Sequence, residues 1–472
     1  MRVNDAVKIF RFSGKSVLFP AVLFLGMIWI IKTTAFGQDC SLPAPFDANA
    51  VYTRTIYLSP HGDDAQGAGT QDKPYRSLTK AAEKARPGTR ILMSPGQYPP
   101  NNYIQNLRGE AHAPILICGA TGEDPAVISG GGTGIQLSDP RYVILQNFTV
   151  SGASGNGVNI DDGGSYDTPA EYVILRGLTV RDIGPSGNHD GIKLSGLDRF
   201  RVENCSVINP GDGGSAIDMV GCHDGVLAHN TIQDCGSSGI QAKGGCARLL
   251  LYANRFDHAG QRAVNMGGST GLPYFRPLDA PYEAANIAVW ANVFIGAETP
   301  IAFVGCENGL FAHNTIYKPQ KWVARILQET TGERFVPCRN NVFANNIVVF
   351  DRNVSTFVNI GPNTQPQTFR FANNLWFQLD NRQFSGPSLP VSESSRVIQQ
   401  DPKFIDSEHG GFQIQKESAA LGKAGNLKEI FGSLPIDIPA LGDYYEQCYS
   451  VPAAIGAFSG GSSAPLKHWN KY

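Results

Sequence analysis

The residues best suited to chemistry stand at corresponding places in a series of short apolar segments. Between positions 157 and 266 these segments are GVNI, GIKL, AIDM, GIQA and AVNM. A strand points alternate side chains to opposite faces, so the polar residue inside each segment faces outward. Two outward positions per segment give Asn159, Asp161, Lys193, Asp218, Gln241, Lys243 and Asn265. Carboxylates, amides and amines on one face are suited to acid–base chemistry on a polar substrate.

A lysine can act as a general base only when it is neutral. Lowering a lysine pKa from about 10.4 to near 7 takes on the order of 4–5 kcal/mol, which nearby cations supply and carboxylates oppose. Lys193 has Asp218 one segment later at the same position, so we expect it to stay charged. Lys243 lies one segment before Arg262, so we predict that this lysine is the base and Arg262 its partner.

Three further groups complete the predicted site. His189 could act as an acid or base, and the alternative is a solvent-facing histidine in a turn. The insertion 268–281, GSTGLPYFRPLDAP, carries residue types that stack on sugars and hold carboxylates. We predict that the substrate-binding residues are Asn159, Gln241, Asn265, Tyr274 and Arg276. Carboxylates on successive segments suit Ca²⁺, and we predict that its ligands are Asp161, Asp190 and Asp218.

The segments that would position these residues repeat along the chain. YVILQNFTV (142–150), VLAHNTI (226–232) and LFAHNTI (310–316) represent a strand that recurs every 22–38 residues, a period typical of a solenoid. Its shared polar position holds Asn147, Gly177, Asn204, Asn230, Asn254, Asn292, Asn314, Asn346 and Asn374. Stacked coils would bring these amides about 4.8 Å apart, so we predict an asparagine ladder.

Composition and cysteine usage limit the class of protein. Residues 1–37 have a basic start and an apolar run, Val17 to Ile31, which predicts a signal peptide; an uncleaved anchor is the alternative. Removing them takes away five basic residues and one acidic residue, leaving 34 against 40 and a net charge of −6. This charge predicts no nucleic-acid partner. Of nine cysteines, Cys40 and Cys448 could bridge the chain ends, whereas buried stacked thiols are the alternative for the repeat cysteines.

The run YLSPHGDD to GQYP (57–99) resembles the N-terminal cap of the right-handed parallel β-helix (pectin-lyase-like) superfamily. The resemblance implies an all-β, single-stranded right-handed parallel β-helix with an N-terminal capping helix, which we place from Ser77 to Arg86. The predicted divisions are a signal peptide (1–37), an N-terminal cap (38–114), β-helix repeats (115–378), a C-terminal coil and irregular cap (379–460) and a disordered tail (461–472).

The segment SGIQAKGGCARLLLYANRFDHAGQRAVNMGG (238–268) resembles the stretch that holds the basic catalytic pair of chondroitinase-B-like and alginate lyases. Lys243 matches the lysine, while the place of the arginine falls on Gly267 and those of the calcium ligands fall on Gly236 and Ser238. The resemblance implies a lyase that cleaves a uronic-acid polysaccharide by β-elimination with a lysine base. A glycoside hydrolase, a uronan C5-epimerase and a non-catalytic glycan-binding surface protein are the alternatives.

The expected partner is a polysaccharide, and Ca²⁺ is the expected cofactor. We expect a monomer that is secreted, periplasmic or at the cell surface. The mature chain is expected to have no membrane partner unless residues 1–37 remain as an anchor.

Overall fold

Three long parallel sheets make up most of the computed structural model, which describes residues 40–165, 167–435 and 440–460. The predicted signal peptide and the predicted disordered tail lie outside these residues. Each coil of the chain adds one strand to sheet 1, then sheet 2, then sheet 3, and the next coil stacks on it in parallel. None of the helices in the described residues is long and apolar enough to cross a membrane.

Sheet 1 has ten strands and carries the outward positions described above. Its strands are Asn102–Gln105, Ile135–Ser138, Val158–Asp161, Ile192–Ser195, Ser215–Val220, Ser238–Lys243, Arg262–Gly267, Ile301–Val304, Ala324–Leu327 and Val358–Ile360. Inward and outward residues alternate along these strands; the inward Ile192 and Leu194 are fully buried, whereas Lys193 and Ser195 are partly exposed. This alternation confirms the prediction of one apolar and one polar face.

Sheets 2 and 3 have 14 and 12 strands. Sheet 2 consists of Arg54–Leu58, Thr89–Met93, Ile115–Gly119, Arg141–Gln146, Ala170–Arg176, Leu197–Asp198, Arg201–Glu203, His223–Ala228, Cys246–Tyr252, Ala284–Trp290, Cys306–Glu307, Leu310–Ala312, Val342–Ala344 and Arg370–Ala372. Sheet 3 consists of Gly96–Tyr98, Ala126–Ser129, Thr149–Ser151, Thr179–Arg181, Ser206–Ile208, Thr231–Cys235, Arg255–Ala259, Val293–Ile295, Thr315–Tyr317, Ile347–Phe350, Leu375–Gln378 and Val397–Ile398.

The helices and the remaining strands lie in the first coil, the loops and the C-terminal part. The predicted N-terminal helix is confirmed as Leu78–Lys84, and the Ser77 hydroxyl accepts a hydrogen bond from the Lys80 amide at 3.2 Å. The first two strands of sheet 2 precede it and follow it, so stacking of coils begins before residue 115. The other elements are the antiparallel pair Phe404–Asp406 and Gly411–Ile414, the short helix Leu427–Phe431 and 3₁₀ turns at Leu272–Tyr274, Pro366–Thr368 and Ser407–His409.

The asparagine ladder is confirmed from Asn230 onward. The amide nitrogen of Asn230 donates to Oδ1 of Asn254 at 2.9 Å, and the contact recurs at 2.9–3.1 Å as far as Asn374. The earlier members are wrong by one residue, because the strand register aligns Cys205, not Asn204, with Asn230. Asn147 and Asn204 instead occupy the preceding turn position with φ of 56° and 54°, a conformation that asparagine tolerates well.

Segments near the ends of the chain cover parts of the outer faces of sheets 2 and 3. Cys40 and Cys448 form a disulfide, which the sequence had left open, and the other seven cysteines are free and buried. Tyr252 and Trp290, on sheet 2, donate hydrogen bonds to the carbonyl oxygens of residues 443 and 442 at 2.7 and 3.0 Å. Apolar residues between 404 and 458 pack similarly on sheet 3. The polar outer face of sheet 1 lines a cleft.

Candidate functional site

The strand register of sheet 1 confirms the predicted outward positions. Lys193 pairs with Asn159 on one side and with Asp218 on the other. The same row continues through Gln241, Asn265 and the small side chain of Ala302 to Arg325 and Asn359. A second row, two residues further along the strands, contains Asp161, Ser195, Val220 and Lys243.

Four charged side chains from three coils and one turn form a compact group that we call the Lys–Asp cluster: Asp190, Lys193, Asp218 and Lys243. The Lys193 ammonium donates a short hydrogen bond to Asp218 Oδ2 and lies 3.5 Å from Asp190 Oδ2. Lys243 Nζ lies 3.3 Å from the other oxygen of Asp218. The Asp218 side chain is only 2% exposed, so two ammonium groups share one buried carboxylate.

Burial and neighbouring charge set the protonation of two members of the cluster. Burial, together with the nearby Asp218 carboxylate, raises the pKa of Asp190 above its ordinary value. Burial on its own would lower the pKa of Lys193, but the carboxylates of Asp218 and Asp190 outweigh it and raise that pKa. Lys193 is therefore held as a cation, as the sequence predicted.

The predicted surroundings of Lys243 are wrong. Arg262 pairs with Ser238, five residues before Lys243, so its backbone lies about 16 Å away along the strand direction. Lys243 instead reaches back across one coil to Asp218, and Arg262 forms an ion pair with Glu329 at 2.6 Å. The prediction failed because it placed Arg262 in the next coil without counting its position along the strand, and because the sequence does not determine where a long flexible side chain points.

The cluster lies at the floor of a cleft of about 950 Å³. Lys193 and Lys243 line it, and the insertion after Gly267 contributes Thr270, Tyr274 and Arg276 to its wall. Arg276 is buried and lies 3.8 Å from both Asp162 Oδ2 and Asp198 Oδ1, while Tyr274 is 66% exposed at the rim. The insertion thus forms one wall of the cleft, with Arg276 near the floor and Tyr274 at the outer edge.

Glu283, which the sequence did not single out, fixes this wall to the cleft floor. Its carboxylate is 1% exposed and accepts hydrogen bonds from the amides of Gly244 and Thr270 at 2.7 and 2.8 Å. The hydroxyls of Thr270 and Thr330 also donate to it. Since Gly244 follows Lys243, this carboxylate holds the turn that carries the lysine. The one signal in the sequence was an acidic residue at the end of a long insertion.

The other predicted residues make hydrogen bonds or packing contacts of their own. Asn159 donates to Gln136 at 2.6 Å, and Gln136 in turn donates to Asp161; the sequence missed Gln136 because its segment precedes those aligned. Gln241 joins Ser215 Oγ to the Gly267 carbonyl, each at 3.4 Å. His189 packs its ring against Gly184 and Gly187, so it is not brought into the Lys–Asp cluster.

Asn265 is 2% exposed and accepts a 3.4 Å hydrogen bond from Arg262, beyond the cluster along sheet 1.

The predicted calcium ligands do not form one site. Asp190 and Asp218 are already compensated by lysine ammonium groups, and Asp161 is occupied by Gln136 and the Gly163 amide. Across the described residues, no three His, Cys, Asp or Glu side chains are grouped so that they could hold a metal ion. Calcium stays a prediction, and no step is assigned to it.

Comparison with known families supports the fold described above. The family model for the right-handed β-helix region matches residues 120–277 and 167–323, which include the coils of the Lys–Asp cluster. The crystal structure of pectate lyase Pel9A superposes with a TM-score of 0.55 and 12% identity over 87% of this chain and 98% of that one. The chain is a right-handed parallel β-helix protein. This is the fold that the sequence predicted.

Relatives of this β-helix protein include proteins named for different reactions on carbohydrates. A pectate lyase of Emericella nidulans is 38% identical over 82 residues, 17% of this chain and 20% of that protein. A lacto-N-biosidase structure from Eubacterium ramulus has a TM-score of 0.51 and 14% identity, over 73% of this chain and 68% of that one.

The β-helix protein spans 11–29% of the length of the curated relatives that it matches. A family described as a protein of unknown function also matches residues 61–106.

Proposed function

We propose that this β-helix protein is a carbohydrate-active enzyme, specifically a polysaccharide lyase that cleaves a uronic-acid polymer by β-elimination. The observation that carries the proposal is the sharing of buried Asp218 by two lysines on the floor of an open cleft. Two amines side by side provide both functions that the reaction needs, a cation for the substrate carboxylate and a base for the adjacent proton. The pectate lyase relative and the shared fold support the same reaction class.

The two lysines have different contacts, and these contacts assign their roles. Lys193 contacts both Asp218 and Asp190, so it remains an ammonium group and would bind the uronate carboxylate. Lys243 has one carboxylate contact, at 3.3 Å, which it shares with the Lys193 ammonium, and its side chain lines the cleft, so we assign it the role of the base. Arg276, in the wall, would help to hold a neighbouring carboxylate.

In the proposed step, Lys243 takes the proton from C5 of the uronate. The electron pair left behind forms the C4–C5 double bond as the C4–O bond breaks, and the leaving oxygen takes a proton from water. Lys193 stabilises the negative charge that develops on the carboxylate during proton removal. The products are a chain with a new unsaturated end and a chain with a new reducing end.

The glycoside hydrolase alternative is less favoured by the geometry. An inverting hydrolase needs two carboxyl groups about 6.5–9.5 Å apart with a water between them. The Lys193 ammonium occupies the space between Asp190 and Asp218 and contacts both. A C5-epimerase would share the proton abstraction, and it is distinguished by its product.

The test is incubation of the purified protein with polygalacturonate, alginate and glycosaminoglycans, followed by ultraviolet absorbance of the unsaturated product. We expect absorbance to rise on at least one uronan and Lys243→Ala to reduce the rate by about 10²–10⁴-fold. Lys416→Ala, at a lysine that is 87% exposed on the C-terminal part, is the matched control and should retain full activity.

Reducing ends without absorbance would instead show a hydrolase, inverted C5 centres in an intact polymer an epimerase, and binding without turnover a glycan-binding protein. Full activity of Lys243→Ala would remove the assigned base.

We further propose that the protein acts as a monomer outside the cytoplasm, secreted, periplasmic or at the cell surface. The Cys40–Cys448 disulfide supports this location, because such bonds persist in oxidising compartments.

A further inference from the structure

Sheet 1 carries a second polar group beyond the cluster, which we call the distal patch: Arg262, Trp322, Arg325, Glu329 and Asn359. Arg325 occupies the outward row, between Ala302 and Asn359 in register. Its guanidinium lies 4.6 Å from the centre of the Trp322 ring and donates through Nε to Asn359 Oδ1 at 3.0 Å. These two contacts hold the Arg325 side chain in place on the outer face of the sheet.

The distal patch contains more positive charge than its one carboxylate, Glu329, neutralises. Arg262 is paired with Glu329 at 2.6 Å, but in the described part of the chain Arg325 has no carboxylate within ion-pair distance. Burial, and next the proximity of Arg262, lower the pKa of Arg325. Lys321 lies on the same tryptophan ring at 4.2 Å, although it contacts Glu298. A second guanidinium and an ammonium thus lie near an arginine that forms no ion pair of its own.

We infer that Arg325 binds a second anionic substituent, a carboxylate or sulfate, of the same polymer that occupies the cleft. This inference rests on the proposed function, since it assigns a distal subsite to the same substrate. A guanidinium held by an aromatic ring and an amide is pre-organised for an oxyanion, which reduces the entropy lost on binding.

The spacing along the sheet suits a linear chain that contacts both places. Arg325 lies three strands from Lys243, by way of the strands Arg262–Gly267 and Ile301–Val304, which is about 14 Å at one strand spacing per step. Ala302, between them, is small and fully buried, so the row has no polar side chain there. A polymer long enough to span this distance could place anionic groups at both places, whereas a short oligomer could occupy only the cluster.

The experiment compares Arg325→Met with the unmodified protein on polygalacturonate and on short oligogalacturonates, with alginate and chondroitin sulfate in parallel. We expect KM for the polymer to rise about tenfold with kcat unchanged, and no change on oligomers too short to reach both sites. A larger loss on chondroitin sulfate than on the carboxylate polymers would identify sulfate as the preferred group. Arg352→Met, at an arginine paired with Asp380 elsewhere on the surface, is the matched control.

Equal effects on polymer and oligomer, or none on the polymer, would overturn the inference. Binding is also measured by calorimetry with intact polymers in a Lys243→Ala background, so that a distal subsite is detected even if no lyase product ever forms. In that case weaker polymer binding by the Arg325→Met variant would support the subsite while the lyase proposal fails. Absence of binding to all three polymers would overturn both.

Discussion

The Lys–Asp cluster and the distal patch lie on the outer face of sheet 1, but they differ in how their charges are paired and buried. In the cluster, two carboxylates with side chains 2–4% exposed balance two lysines. In the distal patch, Glu329 is 32% exposed, and Arg325 forms no ion pair within the described residues. Charges that are buried and balanced are held in defined positions, which chemistry requires. Charges that are exposed and in excess attract a ligand without fixing its reacting atoms.

The largest difference in stability between the two regions should appear when one carboxylate is removed from each. Asp218→Asn removes the buried carboxylate that two partly exposed ammonium groups share, and we expect a loss of about 3–5 kcal/mol in the free energy of unfolding and at least a hundredfold loss of activity. Glu329→Gln removes a more exposed partner and should cost less than about 1 kcal/mol. Denaturant unfolding measures both. Similar losses for the two variants would contradict the distinction drawn between the regions.

A smaller effect should follow when the link between wall and floor is weakened. Glu283→Gln places an amide nitrogen among the N–H and hydroxyl donors of Gly244, Thr270 and Thr330, so the turn after Lys243 should shift. We expect kcat to fall roughly tenfold to a hundredfold, since small misplacements of a reacting group are costly. Glu307→Gln, which loses an ion pair to Arg339 away from the cleft, should leave kcat unchanged. A change in KM alone would show that Glu283 serves binding only.

The pH dependence of protein stability should report the raised pKa of Asp190 in the Lys–Asp cluster. Its pKa is raised by burial and by Asp218, so the folded chain holds this proton more tightly than the unfolded chain does. The resulting stability is present below the ordinary pKa of aspartate and is lost as pH rises through the raised value. Asp190→Asn keeps an acceptor for the Ser215 amide and should gain stability relative to the parent protein as pH rises. The denaturation midpoints of the two proteins are measured from below the ordinary pKa of aspartate to above the raised value. Parallel curves of midpoint against pH would contradict the raised pKa of Asp190.

The smallest effect should be the response to salt. Contacts of the distal patch with a polymer are exposed and therefore screened, so KM for the polymer should rise severalfold between low and high ionic strength. In the Arg325→Met variant this rise should be reduced, while kcat, which depends on the buried cluster, should change little in either protein. An unchanged salt response in the variant would exclude Arg325 from polymer binding.

The sequence predicted the fold and the outward rows because both depend on simple periods. Alternation in GIKL and AIDM is enough to place Lys193 beside Asp218, and their contact is observed. The ladder was misassigned at Asn204 because a turn that favours asparagine lies one residue before the ladder position, so two structural roles share one residue type. A shift of one residue is difficult to detect without the strand register.

The rest of the site depends on the directions of long side chains and on the course of loops. Neither follows from a periodic pattern in the sequence. Lys243 turns back toward Asp218, and Arg262 turns toward Glu329, which is 67 residues away in sequence. Glu283 acts through a loop whose course is determined by tertiary hydrogen bonds. Such contacts follow from how coils stack and not from the local sequence.

The bond between Cys40 and Cys448 turns 409 residues into a covalently closed ring, with the two cysteines 408 positions apart. A protease that cuts one exposed loop of this ring, such as the cleft wall around Tyr274, produces no free fragment. The two new ends remain joined through the sulfur bridge, and the coils on either side of the cut stay stacked. Two cuts are needed before any part of the ring can leave, which gives the molecule tolerance to a first cleavage.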